Sequence, residues 1–385
     1  MNRLIIIGNG FDLAHGMKTS YKDFILWFLY RAYSEAQSSG LYDDELIYFK
    51  IDTMETRTVF NEKDNLEKYQ KYILEIPNDE YQNLKSGVLP SSLIFKFIIN
   101  RQQPYFPLAI VIKNPFINKI INQCINYNWV DIENEYYLYL KQCLFDTKKD
   151  IWSISVAELN VAFEAVKKLL EKYLSSIKIP KPVREIDNVF REPFSHSKKQ
   201  LINNPKLNII NSHPEQYFFL NFNYTNLLDE YFKYYTWQNI STHIQIHGNI
   251  LNKSNPIIFG YGDEMDEGFK NIEDIGIKEN SKYFKSYWYS ITSNYRKIFR
   301  LLSIDKFDVQ LLGHSCGLSD RVLLNAIFEH PNCNEIGIHY YQKVDGTNDY
   351  QDIYHNVSRC FELKNRNNFR KTIASFEESD PFPNF

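Results

Sequence analysis

Six short apolar runs, each stopped by glycine or polar residues, constrain this chain more than any other feature: 4–7, 217–222, 243–246, 257–259, 309–312 and 336–341. Several are continuous rather than alternating, the pattern of parallel strands covered by helices on both faces. An α/β fold with a Rossmann-like, mostly parallel sheet is therefore predicted. Nearly all the runs lie in the first 20 residues or after residue 210, which implies a divided core. Residues 1–20 and 206–385 would form the α/β domain, and 21–205 a large helix-rich insertion.

The middle reads as helical because its apolar residues recur every three or four positions behind capping signals. Thr19-Ser20 with Asp23 precedes the stripe Phe24, Trp27 and Phe28, and Ser155 with Glu158 precedes Val166, Leu169, Leu170, Tyr173 and Leu174. A further helix is expected over 129–144. The stretch 167–200 carries nine Lys or Arg against four acids and reads as a solvated helix and linker.

With 385 residues, 44% hydrophobic and 24% charged, the chain can bury a core without a metal or a disulfide. Its five cysteines are single and scattered, which argues against a zinc ribbon and fits a reducing cytoplasm. The apolar run after Arg3 ends at Gly8-Asn9, too soon for a signal peptide, and no stretch is long enough to span a membrane. A net charge of -3 does not favour nucleic acid as a partner.

Ligands of doubly wound sheets bind beyond the carboxyl ends of the strands, so the residues following each run are the candidates for chemistry. They are Gly8-Asn9-Gly10-Phe11-Asp12, Asn223-Tyr224-Thr225-Asn226, His247-Gly248-Asn249, Gly260-Tyr261-Gly262-Asp263, and the segment from Gly313, His314 and Ser315 to Asp320. Five loops rich in glycine, amides and hydroxyls would converge on one edge. Each residue also has a purely structural use: a strand-to-helix turn for Gly8 and Gly10, a cap for Asp12, an Asx-turn for Asn223, a core imidazole for His247. The first loop is an incomplete dinucleotide fingerprint, because Leu13 stands where a third glycine belongs and Asp12 would repel a phosphate.

Gly313-His314-Ser315-Cys316-Gly317 also satisfies the nucleophile elbow of α/β-hydrolases, with Asp345 and His355 following in order. An elbow serine sits directly before its helix. Here the helical pattern begins only at Val322, with Ser319 or Asp320 as its cap, which disfavours the elbow. A second rival is a metal-dependent nuclease in which Asp12, Asp263 and Asp320 gather Mg²⁺. A third is a non-catalytic nucleotide sensor.

The segments "IIIGNGFDLAHGMKTSYKDF", "FNYTNLLDEYF", "IQIHGNI", "IIFGYGDE" and "LLGHSCGLSD" resemble, in this order, the AbiH family of bacterial abortive-infection proteins, implicated in phage defence. The middle contributes little to the match beyond "WVDIENEY". A more distant similarity is to sirtuin-like NAD-consuming domains. That similarity implies a first glycine turn at Gly8 and Gly10, a strand-end amide at Asn223, a catalytic histidine at His247, and a late nucleotide-binding turn at Gly313 and Ser315. Asp12 and Thr225 depart from the sirtuin-like pattern, which usually has a small hydroxyl residue and an aspartate there, and the zinc-binding cysteines of deacetylating sirtuins are missing.

The function expected from these residues is hydrolysis of the nicotinamide N-glycosidic bond of NAD, with His247, Asn223 and Asp12 as catalytic groups. Gly8, Asn9, Gly10, Phe11, Thr225, Gly248, Gly260, Gly313, His314, Ser315 and Asp320 would bind the nucleotide, without a metal. His247 would take a proton from water, Asn223 would orient a ribose hydroxyl, and Asp12 would face the cationic transition state. A phage-derived or other protein trigger and a homo-oligomer are the further partners expected.

Overall fold

The computed structural model describes residues 1–51, 67–68, 73–74, 108–127, 130–146, 154–194, 213–237 and 240–383. In chain order its strands are β1 (Asn2–Ile7), β2 (Leu41–Asp43), β3 (Ile47–Ile51), β4 (Ile73–Leu74), β5 (Leu108–Ile112), β6 (Tyr217–Asn221), β7 (Ser241–Gln245), β8 (Phe307–Leu312), β9 (Cys333–Tyr340) and β10 (Asp380–Pro381). The chain divides into two compact units, one of Met1–Thr19, Leu174–Lys270 and Tyr283–Phe385, the other of Ser20–Tyr173 and Asn271–Lys282. The domain boundary expected at 205/206 falls within 195–212, outside the described residues.

The first unit holds a six-stranded sheet in the order β10-β9-β8-β1-β6-β7, with every pair parallel. Numbered by their own sequence, these strands give the doubly wound order 3-2-1-4-5-6, read from the β7 edge. The period of two explains why the runs are continuously apolar. Leu4 and Ile6 of β1 face one core with Phe218, Leu220, Val309 and Leu311, while Ile5 and Ile7 face another with Phe219, Leu228 and Phe190. Both faces of β1 and β6 are apolar, whereas β8 buries Asp308 and Gln310 in alternation with Phe307, Val309 and Leu311. One expected strand does not form: Ile257 to Phe259 are buried but lie outside the sheet, and only Tyr261 makes an isolated parallel bridge, to Phe284.

The second unit adds strands to the helices expected of the middle. It contains a four-stranded sheet, β2-β3-β5-β4, in which β3 is antiparallel to β2 and β5. These strands escape a reading by apolar runs because β2 is short with alternate residues exposed, and Lys50 interrupts β3. The helices of the middle do form where capping signals stand. Ser20 accepts from the Asp23 amide at 3.1 Å to open Tyr21–Ser39, and Ser155 and Glu158 close a reciprocal capping box before Val156–Ser176. The helix expected over 129–144 spans Ile132–Phe145 behind an Asp131 cap, while Trp129 and the end of the basic stretch, 195–200, lie outside the described residues. Among the described residues no helix is long and apolar enough to cross a membrane.

Candidate functional site

Parallel register brings the expected loops to one edge: Ile7 lies beside Asn221 and Leu312, and Asn221 beside Gln245, so the chain leaves β1, β6, β7 and β8 at a common level. The β1 and β8 loops then pack backbone on backbone. A Cβ on Gly10 would stand 2.6 Å from the Cα of Gly313, and one on Gly8 2.6 Å from the Cα of His314. Gly313 itself has φ +66°, a left-handed conformation that costs other L-residues about 1–2 kcal/mol. The amides of this turn are already bonded within the protein: Gly8 donates to the Leu312 carbonyl at 3.1 Å, Gly10 to that of Gly313 at 2.8 Å, and Phe11 to that of Gly8 at 2.9 Å. Phe11 is buried against Phe190, Tyr231 and Phe382, and Asn9 donates from its side chain to the Thr19 carbonyl.

Beneath this turn lies Asp12, only 1% exposed. Asn223 Nδ2 donates to one of its carboxylate oxygens at 2.8 Å and Thr225 Oγ1 to the other at 2.7 Å. The same Asn223 amide also reaches the Gly8 carbonyl at 3.0 Å. Asn223 and Asp12, both expected at a ribose, are thus joined to each other and tie the β1 and β6 loops together. Gln245, which sequence reasoning missed, extends the tie by donating to the carbonyls of Asn223 and Thr225. Since no cation offsets its burial, the Asp12 carboxyl is pushed up to about 7 despite these two donors.

A second buried carboxylate has different company. Lys285 Nζ donates to Asp320 Oδ1 at 2.8 Å, His247 Nε2 lies 3.1 Å from the same oxygen, and His314 Nε2 is 3.7 Å from Oδ2. Burial pushes the Asp320 carboxyl up, but Lys285 first, then His247 and His314, outweigh it and hold the group well below the usual carboxylate range. Burial lowers His247, aided by the Lys285 charge, and takes His314 down to about 4, so both rings are neutral at pH 7. His247 is fixed by a hydrogen bond to the Phe222 carbonyl, by Tyr289 Oη at 3.2 Å from Nε2, and by the edge of the Phe222 ring. Asp320 occupies the N-cap position of the helix Arg321–Phe328 yet makes no capping bond, because its carboxylate is turned to Lys285 and His247.

Asp320 also lines a cavity of about 570 Å³, together with Tyr289, Gly262, Ser319, Tyr295 and Arg296. A volume in this range admits a small organic ligand. Of the residues expected to bind or act on the nucleotide, Asp320 is the one that lines this cavity, with His247 Nε2 3.1 Å behind it. Lys285, Tyr289 and Arg296 were not legible as site residues. The bridge between Tyr261 and Phe284 slides Lys285 beneath Gly262, and no local sequence signal announces that pairing.

The remaining expected residues shape the loops. A Cβ on Gly248 (φ +82°) would meet the Pro256 carbonyl oxygen at 2.1 Å, and one on Gly260 that of Tyr283 at 2.0 Å. Ser315 is exposed, and the left-handed residue beside it is Cys316 (φ 53°), several positions before the helix at Arg321. The nucleophile elbow is therefore not formed, and Asp345 and His355 are exposed. Nor do the three aspartates of the nuclease reading share a site: Asp12 is held by Asn223 and Thr225, Asp263 by Arg321 at 2.7 Å, and Asp320 by Lys285. Among the described residues no group of three His, Cys, Asp or Glu side chains could hold a metal ion.

A family model described as bacteriophage abortive infection AbiH matches residues 4–342. Comparison with curated proteins and with solved structures finds no match.

Proposed function

The chain belongs to the bacteriophage abortive infection AbiH family, and on that premise we propose that it is an antiphage effector that binds NAD and hydrolyses its nicotinamide N-glycosidic bond. One observation carries the reading: an aspartate held ionised by a buried lysine forms part of the wall of a nucleotide-sized cavity, on the strand-end side of a doubly wound sheet. Breaking the bond between C1′ and the ring nitrogen sends the electron pair into nicotinamide and leaves positive charge on the ribose. Asp320 is the counter-charge for that cation, and Lys285 keeps it ionised in advance, so little reorganisation accompanies the step.

Water then bonds to C1′ and releases one proton. Asp320 orients the water, and His247, neutral and with Nε2 3.1 Å from the carboxylate, receives the proton. The products are nicotinamide, ADP-ribose and that proton. Asp12 and Asn223 act at a distance in this scheme, as the tie that holds the β1 and β6 loops in place.

The test is to challenge cells expressing the chain with phage and quantify NAD and nicotinamide. Wild-type cells should lose NAD and gain nicotinamide. Asp320→Asn should slow that loss by about 100-fold or more, and Tyr289→Phe, which removes only a hydroxyl beside His247, by about 10-fold. Cells that are protected from phage while NAD stays constant would reject hydrolysis and leave the sensor reading.

A further inference from the structure

On the basis of the hydrolysis proposed above, we infer that Tyr289 is a catalytic residue whose hydroxyl carries the proton of the attacking water to His247. His247 is only 4% exposed and is not among the described residues that line the cavity, so a water held there does not touch the imidazole directly. Two lining residues reach His247 Nε2: Asp320 through Oδ1 at 3.1 Å and Tyr289 through Oη at 3.2 Å. One of them must hand the proton on.

Asp320 is the wrong carrier. Its charge faces the cation that forms at C1′, and a proton on the carboxylate would cancel that charge at the moment it acts. Its Oδ1 also accepts from Lys285 Nζ at 2.8 Å, so the oxygen that meets His247 is already engaged. A tyrosine hydroxyl has neither limit, because it accepts through its oxygen while it donates through its hydrogen. Tyr289 joins the cavity to the imidazole without changing its own charge.

The stretch of chain that supplies Lys285 also supplies Tyr289. At the end of the short helix Lys285–Trp288, the Tyr289 amide donates to the Lys285 carbonyl at 2.9 Å. The Tyr289 ring lies nearly parallel to the His247 imidazole, with centroids 6.3 Å and planes 14° apart, and stacks on Tyr295 at 5.5 Å. Tyr295 packs in turn on Phe299 at 4.9 Å. These contacts hold the hydroxyl within reach of Nε2.

The groups around His247 set the direction of transfer. The Phe222 carbonyl bonded to the imidazole only accepts, so the one hydrogen of the neutral ring serves it, and Nε2 presents its lone pair to Tyr289. Once protonated, Nε2 donates to Asp320 Oδ1, an interaction realised only as the proton arrives. The water oxygen bonds to C1′ while one of its O–H bonds breaks, and that hydrogen joins Tyr289 Oη. The original phenolic O–H bond breaks, and its hydrogen joins Nε2. Tyrosine ends as it began, and the imidazole has gained one proton.

NAD consumption in lysates of phage-challenged cells expressing the full chain, with an Asp320→Asn lysate as the blank, tests the relay. Tyr289→Phe keeps the ring and its stacking, and should lower kcat about 10-fold while KM stays unchanged. In mixtures of ordinary and heavy water, the single-turnover rate of the wild type should follow the curve of two hydrogens in flight. A straight line, the signature of one, would overturn the relay. Nitrogen-15 NMR of the purified full chain with labelled histidine reads the starting state without turnover. An unprotonated His247 Nε2 is expected at about pH 7. A hydrogen found on Nε2 would overturn the relay even where NAD is consumed, and a Tyr289→Phe variant with wild-type kcat would do so while leaving hydrolysis at Asp320 standing. Constant NAD in the wild-type lysate of protected cells would reject hydrolysis and the relay together.

Discussion

Two buried aspartates follow neighbouring strands of one sheet and behave in opposite ways. Asp12, after β1, meets two neutral donors and is pushed up to about 7. Asp320, after β8, meets the ammonium of Lys285 and is held well below the usual range. Burial alone makes a carboxyl reluctant to ionise, and neutral hydrogen bonds recover only part of that penalty. A full charge within 3 Å reverses it. The first aspartate therefore serves as a tie between loops, and the second as a fixed charge at a cavity wall.

Removing the cation should break this contrast with the largest effect. Lys285 is fully buried, and Lys285→Met would leave Asp320 as an uncompensated charge. The expected loss is about 3–5 kcal/mol in urea unfolding, as for other buried pairs stripped of one partner. Adding Asp320→Asn to Lys285→Met should recover a large part of it. A double variant no more stable than Lys285→Met would mean that the lysine stabilises by packing alone.

The loop contact that separates the two aspartates gives the next effect. Gly10→Ala would drive a methyl to within 2.6 Å of the Gly313 backbone, with an expected cost of about 1–3 kcal/mol by the same measurement. A neutral outcome would show that the β1 and β8 loops can part.

How far this contrast could be read beforehand depends on where each partner lies in the chain. The continuous runs at β1 and β6 announce a doubly covered parallel sheet because both faces of each strand are apolar. The capping signals at Ser20 and Ser155 are legible because their partners stand three residues away. Ile257 to Phe259 mimic a strand because burial, not pairing, selects apolar residues there. Asp12 and Asp320 look alike in sequence, since Asn223 is 211 residues from one and Lys285 is 35 from the other. Their roles are set by partners that only the fold delivers. The strand-end rule brings the loops after β1, β6, β7 and β8 to one edge, while Lys285, Tyr289 and Arg296 lie in or beside the short helices Lys285–Trp288 and Asn294–Leu302, which that rule does not reach.

An effect spread over several pH units sharpens the comparison further. In the unfolded chain the Asp12 carboxyl ionises near 3.8, and in the folded chain at about 7. Between these values the folded state keeps a proton that the unfolded state has released, so this group lowers stability as pH rises, by about 1.4 kcal/mol per unit at most. Asp12→Asn removes that dependence. Its stability relative to wild type should therefore improve steadily from about pH 4 to pH 7 and level off above. His314, taken down to about 4 by burial, contributes the opposite slope below its unfolded value, but it does so in both proteins and cancels in the difference. Asp320→Asn should instead track wild type at a constant offset above about pH 7, where that carboxyl is ionised whether folded or not and the imidazoles of His247 and His314, which it raises, are neutral in both proteins. Urea unfolding at several pH values for the three proteins measures both profiles. Parallel curves for Asp12→Asn and wild type would mean that Asp12 is ionised throughout, and that its two neutral donors suffice where Asp320 has a lysine.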